Sequence, residues 1–488
     1  MKISPAILQL SLAALLALPL AACVSVPDAD EMAAIRADAA ADRVSALEER
    51  VPFDGRADCL TGPLSLDDAL SRGLAMNLVL QQQVLGRDIA SGRITAAYQN
   101  ALPNLSAAAG YTRLDDDLST TADDGTVTRG RFLDQYSASL TLTQPLFSAR
   151  VGTALRAARL YREWTEASIR DAEDTVRFNV VRAYYQARLS THLLKVKEKA
   201  LETATRQADE TEARRRQGMA SHYDLLRATV EVSNCKALVL QAREALDVAN
   251  TSLFRLIGAS PDSSVDLVDP LPFVQETIAL PDAVRTALAR RADLVLADYA
   301  ARLQREAVAN ARADYYPAVS AFFRESLANP DPHDSRSDDW GDEWQAGLQA
   351  SWTLFDGLAR RGAIRQEQAK LAQLELALRD AEEAVVSEIR QLVLNLATAE
   401  EFALSQSQNL ETAQEALRLV EVGLREGQNT QVEVMDARQA LTTASANYWQ
   451  SIFDHAISRV ALLRAMGILA DAPLPSSPVL APNSEPAP

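Results

Sequence analysis

The chain has 488 residues, 48% hydrophobic and 24% charged, with 49 basic and 66 acidic side chains and a formal net charge of −17. That acidity argues against nucleic-acid binding, because phosphate contacts need a basic face. A mean hydropathy of −0.11 argues against a polytopic helical membrane protein. After the apolar run at residues 6–22, no segment reaches the ~18 residues that a spanning helix needs.

Lys2 supplies a minimal positive n-region, and Ala6–Leu18 an apolar h-region too short to span. The run ends Leu20-Ala21-Ala22-Cys23, the pattern of a bacterial lipobox. Residues 1–22 therefore read as a lipoprotein signal peptide, with Cys23 as the lipidation site. An ordinary secretory signal with an incidental cysteine is the alternative. Val24 follows where an aspartate would favour the inner membrane, which points to the outer membrane. Each buried methylene of an acyl chain such as palmitate adds about 0.8 kcal/mol, so several chains hold firmly. Residues 23–63 would form a lipid-anchored segment. The remaining cysteines, Cys59 and Cys235, give no disulfide framework and read as unpaired thiols.

The mature sequence repeats itself. Leu66-Asp67-Asp68-Ala69 answers to Leu280-Pro281-Asp282-Ala283, and Leu102-Pro103 to Tyr316-Pro317, at an offset of 214. Pro145-Leu146-Phe147-Ser148 answers to Thr353-Leu354-Phe355-Asp356 at 208; Gly218 to Gly427 and Ile257-Gly258 to Met466-Gly467 at 209. The change of offset is confined to the segment between Pro103 and Leu146, which marks a loop there. Residues 64–258 and 281–467 are thus two copies of one unit, joined by a linker at 259–280. Length alone, at roughly 150 residues per domain, would have suggested three domains.

Each copy begins with a helical stretch, 65–101 and then 281–315, that ends at a proline. Strand hairpins follow at 104–147 and 318–356, and long helical hairpins at 149–258 and 357–467. No proline occurs between Pro145 and Pro261 or between Pro332 and Pro473. Residues 149–217 and 357–426 are dense in good helix formers. As continuous helices each would run roughly 100 Å. After Gly218 one heptad position holds Leu225, Val232, Val239, Leu246 and Leu253. The position three residues on holds Ala228, Cys235, Ala242, Ala249 and Leu256. The second copy repeats this with Val434, Leu441, Tyr448, His455 and Leu462 beside Ala437, Ala444, Ser451, Ser458 and Ala465. One large and one small column predict a tightly packed antiparallel coiled coil. His455 stands where the first copy has Leu246, so it reads as a packed or water-facing residue. His192, His222 and His333 have no metal-ligand spacing.

The strand segments Tyr136–Thr143 and Trp344–Trp352 alternate strictly. One face carries Tyr136, Ala138, Leu140 and Leu142, or Trp344, Ala346, Leu348, Ala350 and Trp352; the other is Ser, Thr, Gln and Gly. That pattern fits a transmembrane barrel, apolar to lipid and polar to a lumen; a soluble sheet on a core is the alternative. Four strands per chain would leave open edges in lipid. The smallest closed barrels need about eight. The barrel must be shared: two chains give a filled interior, three give twelve strands and a conduit. Residues 468–488 read as a Pro-rich tail.

This plan resembles the TolC family of outer-membrane factors over roughly residues 64–470. The pieces that carry the resemblance are Gln144-Pro145-Leu146-Phe147-Ser148, Trp352-Thr353-Leu354-Phe355-Asp356-Gly357, Arg216-Gln217-Gly218-Met219, Arg425-Glu426-Gly427-Gln428 and Val432-Glu433-Val434-Met435-Asp436-Ala437. The lipobox resembles the lipoprotein branch associated with resistance-nodulation-division efflux. The resemblance implies a mixed α and β membrane protein that forms a homotrimer, with a shared twelve-stranded barrel in outer-membrane lipid and a periplasmic α-barrel. Residues 24–63, 259–280 and the C-terminal segment would form an equatorial belt. It further implies a pore constriction at Glu433 and Asp436, three apart on one helical face. A solvated coiled-coil face is the alternative for that pair. The tips at Gly218, Met219, Gly427 and Gln428 would contact a periplasmic adaptor, and through it, indirectly, an inner-membrane transporter. Aromatic and arginine gate links of some relatives fall here on Leu424 and Asn429, which departs from that pattern.

The loops add acid. Residues 329–343 hold Asp331, Asp334, Asp338, Asp339, Asp342 and Glu343 against Arg336, and residues 115–131 hold Asp115, Asp116, Asp117, Asp123 and Asp124 against Arg129 and Arg131. Such a mouth would favour cations, or would simply be a polar loop set. No phosphate loop, metal cluster or nucleophile motif is present, so no enzyme and no cofactor is expected. The leading reading is a passive efflux duct. The exit of a type I protein secretion system shares its architecture, and a lipid-anchored coiled-coil scaffold is the alternative of another class.

Overall fold

A computed structural model describes residues 59–472 and a few residues between 38 and 45, except 116–118, 122, 124–126, 130–131, 277 and 334–337. The leader, Cys23, part of both acidic loops and the tail from 473 lie outside the described residues. The first copy runs β1 (Thr61–Leu64), α1 (Leu66–Met76), α2 (Leu78–Val84), α3 (Gly86–Ala97), β2 (Asn104–Arg113), β3 (Ser119–Thr121), β4 (Val127–Arg129), β5 (Asp134–Phe147), α4 (Ala149–Arg216) and α5 (His222–Leu256). The second runs β6 (Ser264–Leu267), α6 (Leu280–Arg290), α7 (Ala292–Ala313), β7 (Ala318–Asn329), β8 (Gly341–Ser351), α8 (Ala359–Arg425) and α9 (Gln431–Ala465).

The rods form as their composition dictates. Helices α4 and α8 are 68 and 67 residues long, about 100 Å each at 1.5 Å per residue. Their partners α5 and α9 are 35 residues each. Every heptad seat named above is buried or half-buried: Ala228, Cys235, Val239, Ala249 and Leu253 on α5, and Val434, Ala444, Tyr448, Ser451, His455, Leu462 and Ala465 on α9 are buried.

The leading stretches are less continuous than their periodicity predicts. Residues 65–101 break at Asn77 and Leu85, and 281–315 break at Arg291. At the first break the Asn77 side chain accepts from the Val79 and Leu80 amides (3.1 and 3.2 Å), and its amide donates to the Leu256 carbonyl (3.2 Å). An asparagine that caps a new helix ends the old one.

The segments before α1 and after α5 hold a pairing that the sequence does not announce. β1 runs parallel to β6, in register from Thr61–Ser264 to Leu64–Leu267. The buried Tyr184 hydroxyl of α4 clamps it, donating to the Leu64 carbonyl (2.9 Å) and accepting from the Asp269 amide (3.0 Å). Burial of that phenol pushes its pKa up to about 12. Leu271 and Phe273 of the linker are buried in the main core. Cys59 is exposed, Cys235 is buried, and both are free thiols.

The strand hairpins form one four-stranded antiparallel sheet in the order β2-β5-β7-β8, so the two hairpins stand side by side. Register puts Leu105, Tyr111, Tyr136, Leu140, Leu142, Phe323, Leu327, Trp344 and Leu348 on one face. Ser106, Gly110, Ser139, Thr141, Thr143, Ser320, Ser326, Gln345 and Gln349 lie on the other. Strands β2 and β8 are its open edges.

Candidate functional site

The sheet's apolar face is bounded by two aromatic rows. At one end Tyr111, Tyr136 and Trp340 meet in series as tilted ring pairs, with centroids 5.1 and 6.1 Å apart. At the other, Phe147, Tyr315, Tyr316, Trp352 and Phe355 are all exposed at the strand-to-helix junctions. About ten tilted residues separate the rows, close to the ~25 Å apolar band of an outer-membrane barrel. Among the described residues no helix is long and apolar enough to cross a membrane. The sheet carries an exposed apolar surface on that scale.

At the far end, the two rods turn identically. Gly218 and Gly427 both take φ +77, and the next residue's amide closes a bond five residues back: Met219 to the Arg214 carbonyl and Gln428 to the Gly423 carbonyl, each 2.8 Å. This glycine-terminated motif satisfies the last helical carbonyls. Met219 is 67% exposed, so the first tip presents an apolar side chain to solvent.

Capping boxes then restart both helices. Thr430 accepts from the Glu433 amide (3.3 Å) while the Glu433 carboxylate accepts from the Thr430 amide (2.8 Å); Ser221 and Asp224 do the same in the first copy. Glu433 also accepts from the Asn429 amide (3.0 Å). The Thr430 backbone and the Asn429 side chain hold the Glu433 carboxyl below its ordinary range. One member of the proposed acidic pair therefore has a local task that spacing did not reveal. A Thr or Ser followed three residues later by an acid was the available signal. Asp436 carries no such bond, is exposed, and lines a groove with Asp224 and Arg227. Asn429 belongs to the turn, and Leu424 supplies the carbonyl that Gly427 meets (3.2 Å).

Three ties join the two helical hairpins along α4 and α9. Arg464 donates to Thr175 (3.1 Å); His192 stacks on Trp449 with centroids 3.6 Å apart; Arg438 donates to Gln207 (3.1 Å) and to Glu421 (2.8 Å). On α4 these levels are separated by roughly 25 Å each, and the last stands roughly 14 Å above the end of the helix. Below His192 the hairpins diverge around the groove, about 950 Å³, with Lys195, Lys199, Arg227 and Glu231 on its walls. Burial pushes the His192 pKa down to about 4, so this ring is neutral at ordinary pH. Among the described residues no three His, Cys, Asp or Glu side chains gather as metal ligands would.

A model of the outer membrane efflux protein family matches residues 69–259 and 283–468, the two copies in turn. The chain belongs to that family. It is 22% identical over 403 residues to the outer membrane protein TolC of Escherichia coli K12, covering 80% of each chain. It is also 22% identical over 359 residues to the alkaline protease secretion protein AprF of Pseudomonas aeruginosa, covering 72% of this chain and 74% of that one. The Campylobacter jejuni CmeC outer membrane channel superposes with a TM-score of 0.68 at 16% identity, over 83% of this chain and 86% of that one. The chain has the duplicated, mixed α and β fold of TolC-like channels, and membership of the family makes it an outer-membrane protein of efflux.

Proposed function

We propose that three copies close one barrel and that the assembly is the passive exit duct of a tripartite efflux system. The open edges of the β2-β5-β7-β8 sheet carry this reading. An apolar sheet in lipid cannot leave the backbone groups of β2 and β8 unpaired, and a neighbour's β8 and β2 satisfy them. Three chains give twelve strands, wide enough for a lumen. The α-helical rods continue the conduit for about 100 Å. Energy comes from an inner-membrane pump, engaged through a periplasmic adaptor seated at the tips around Gly218, Met219, Gly427 and Gln428.

Cys23 is the anchoring site in this reading, supported by the lipobox Leu20-Ala21-Ala22-Cys23. Asp436 narrows the tip, with Glu433 both capping α9 and adding its charge beside it. Acidic residues at the mouth then attract cations.

The match to AprF favours a second reading within the same architecture, the exit of a protein secretion system. Bilayer recording tests the shared claim. The purified protein should conduct, and more so with Glu433 and Asp436 replaced by alanine. No conductance even in that variant defeats the duct.

A further inference from the structure

Register divides the strands into a lipid face and a lumen face, and the lumen face is almost uncharged. Along the described strands it carries Ser, Thr, Gln, Asn, Gly and Ala, with Pro145 and Phe322, and only two charged side chains, Arg324 and Glu343. Arg324 lies well inside the span, opposite Thr141 on β5 and Gln345 on β8. Glu343 lies one rung nearer the acidic loops, opposite Ser326. The two do not pair. Arg324 Nε donates to Thr141 Oγ1 (3.2 Å), while the Glu343 carboxylate accepts from Gln345 Nε2 (2.9 Å). Arg324 is exposed and makes no ion pair among the described residues.

We propose that Arg324 is the charge filter of the barrel. In the shared barrel on which this inference rests, three copies form a guanidinium ring that favours solutes bearing carboxylate, phosphate or sulfate groups and retards cations. The ring opposes the acidic mouth, so mouth charge alone does not set ion preference. Twelve strands about 4.8 Å apart and tilted by about 40° close on a backbone radius of about 12 Å. The side chain reaches roughly 6 Å inward, which leaves the guanidinium roughly 6 Å from the axis. That is inside the ~10 Å screening length at 0.1 M salt and outside the ~3 Å length at 1 M. A guanidinium stays charged at every working pH, so the ring is permanent. Its bond to the neutral Thr141 hydroxyl fixes its height on the wall and leaves it without an ion-pair partner, while Glu343, held by Gln345 one rung away, offsets part of its field.

The test uses the full-length protein in planar bilayers under a salt gradient near 0.1 M. Every variant carries Asp436→Asn, which removes the free acid at the tip and leaves the Glu433 cap intact. Trimer migration on a semi-native gel verifies assembly. Arg324→Gln should raise the cation-to-anion permeability ratio by about twofold or more. Arg324→Lys should keep the parent ratio, and all three channels should converge near ~1 M salt. A conducting Arg324→Gln channel with the parent ratio overturns the filter and leaves the duct standing. Absence of conductance in every variant overturns the duct, and the ring with it.

Discussion

Among the described residues Arg438 makes the last bond between the two helical hairpins before the tips, and replacing it with methionine should loosen them. The methionine keeps most of the packed stem and removes only the guanidinium. Nη1 loses Gln207 Oε1 (3.1 Å), and Nε and Nη2 lose Glu421 (3.3 and 2.8 Å). The Glu421 side chain is 41% exposed, so solvent screens that pair to roughly 0.5–1 kcal/mol. The half-buried bond to Gln207 adds about 1 kcal/mol. The Glu421 pair ties α9 to α8 within one hairpin, so the sum, about 2 kcal/mol per protomer or roughly thirtyfold, applies only to a motion that frees α9 from both α4 and α8. Gln207→Leu removes only the bond between hairpins and should shift it about fivefold. Single-channel open fraction, together with amide exchange of residues 208–222 and 426–435, reads the change. Faster exchange and a larger open fraction, graded from Gln207→Leu to Arg438→Met, are expected. Unchanged exchange in Arg438→Met, or a larger effect from Gln207→Leu, refutes the idea that this bond holds the tips.

Other outcomes follow from individual environments. His455 is fully buried against Phe273 (4.5 Å between centroids) with no hydrogen-bond partner at either nitrogen among the described residues, and burial lowers its pKa to about 4. A depressed histidine leaves stability intact above pH ~6.5 and loses it as pH falls towards 4, by up to about 3 kcal/mol. His455→Leu, the residue of the first copy at that seat, should flatten this part of the urea-midpoint profile between pH 7 and 4.5. An unchanged slope would contradict it. Glu325 lies on the sheet's apolar face between Leu140 and Trp344, the face turned to lipid in the proposed barrel. Glu325→Leu should therefore stabilise the folded barrel by on the order of 1 kcal/mol, raising the temperature at which the gel band of the assembly collapses. Gly427→Ala places a β-carbon at φ +77 and should cost roughly 1–2 kcal/mol locally. It should accelerate exchange at Gln428 and Asn429 without moving the melting temperature of the barrel.

How much of this was legible in sequence depends on how local each cause is. The heptad seats, the tip glycines and the alternating strands are written in nearest neighbours along the chain, and the fold has them where the spacing puts them. The helix break at Asn77 is half-legible, because a cap residue also needs a carbonyl to answer it, and that comes from Leu256. The β1–β6 pairing, the Tyr184 clamp and the Arg438 tie join residues some 80 to 230 positions apart. No periodicity encodes them. Glu433 shows the opposite limit: its capping box with Thr430 is written in the local sequence, whereas a pore role for the same charge is not. Arg324 and Glu325 are adjacent in the sequence and opposite in the sheet, and only register puts one on the polar face and the other on the apolar face.

The central claim is that the open edges β2 and β8 close between chains. Replacing Cys59 and Cys235 with serine, then placing single cysteines along β2 and along β8 on the lumen face, allows oxidation to report that contact in native membranes. A shared barrel predicts, at one register, a disulfide ladder that ends at three chains. A ladder that stops at two chains, or β2 and β8 cysteines that join only within one chain, would contradict it.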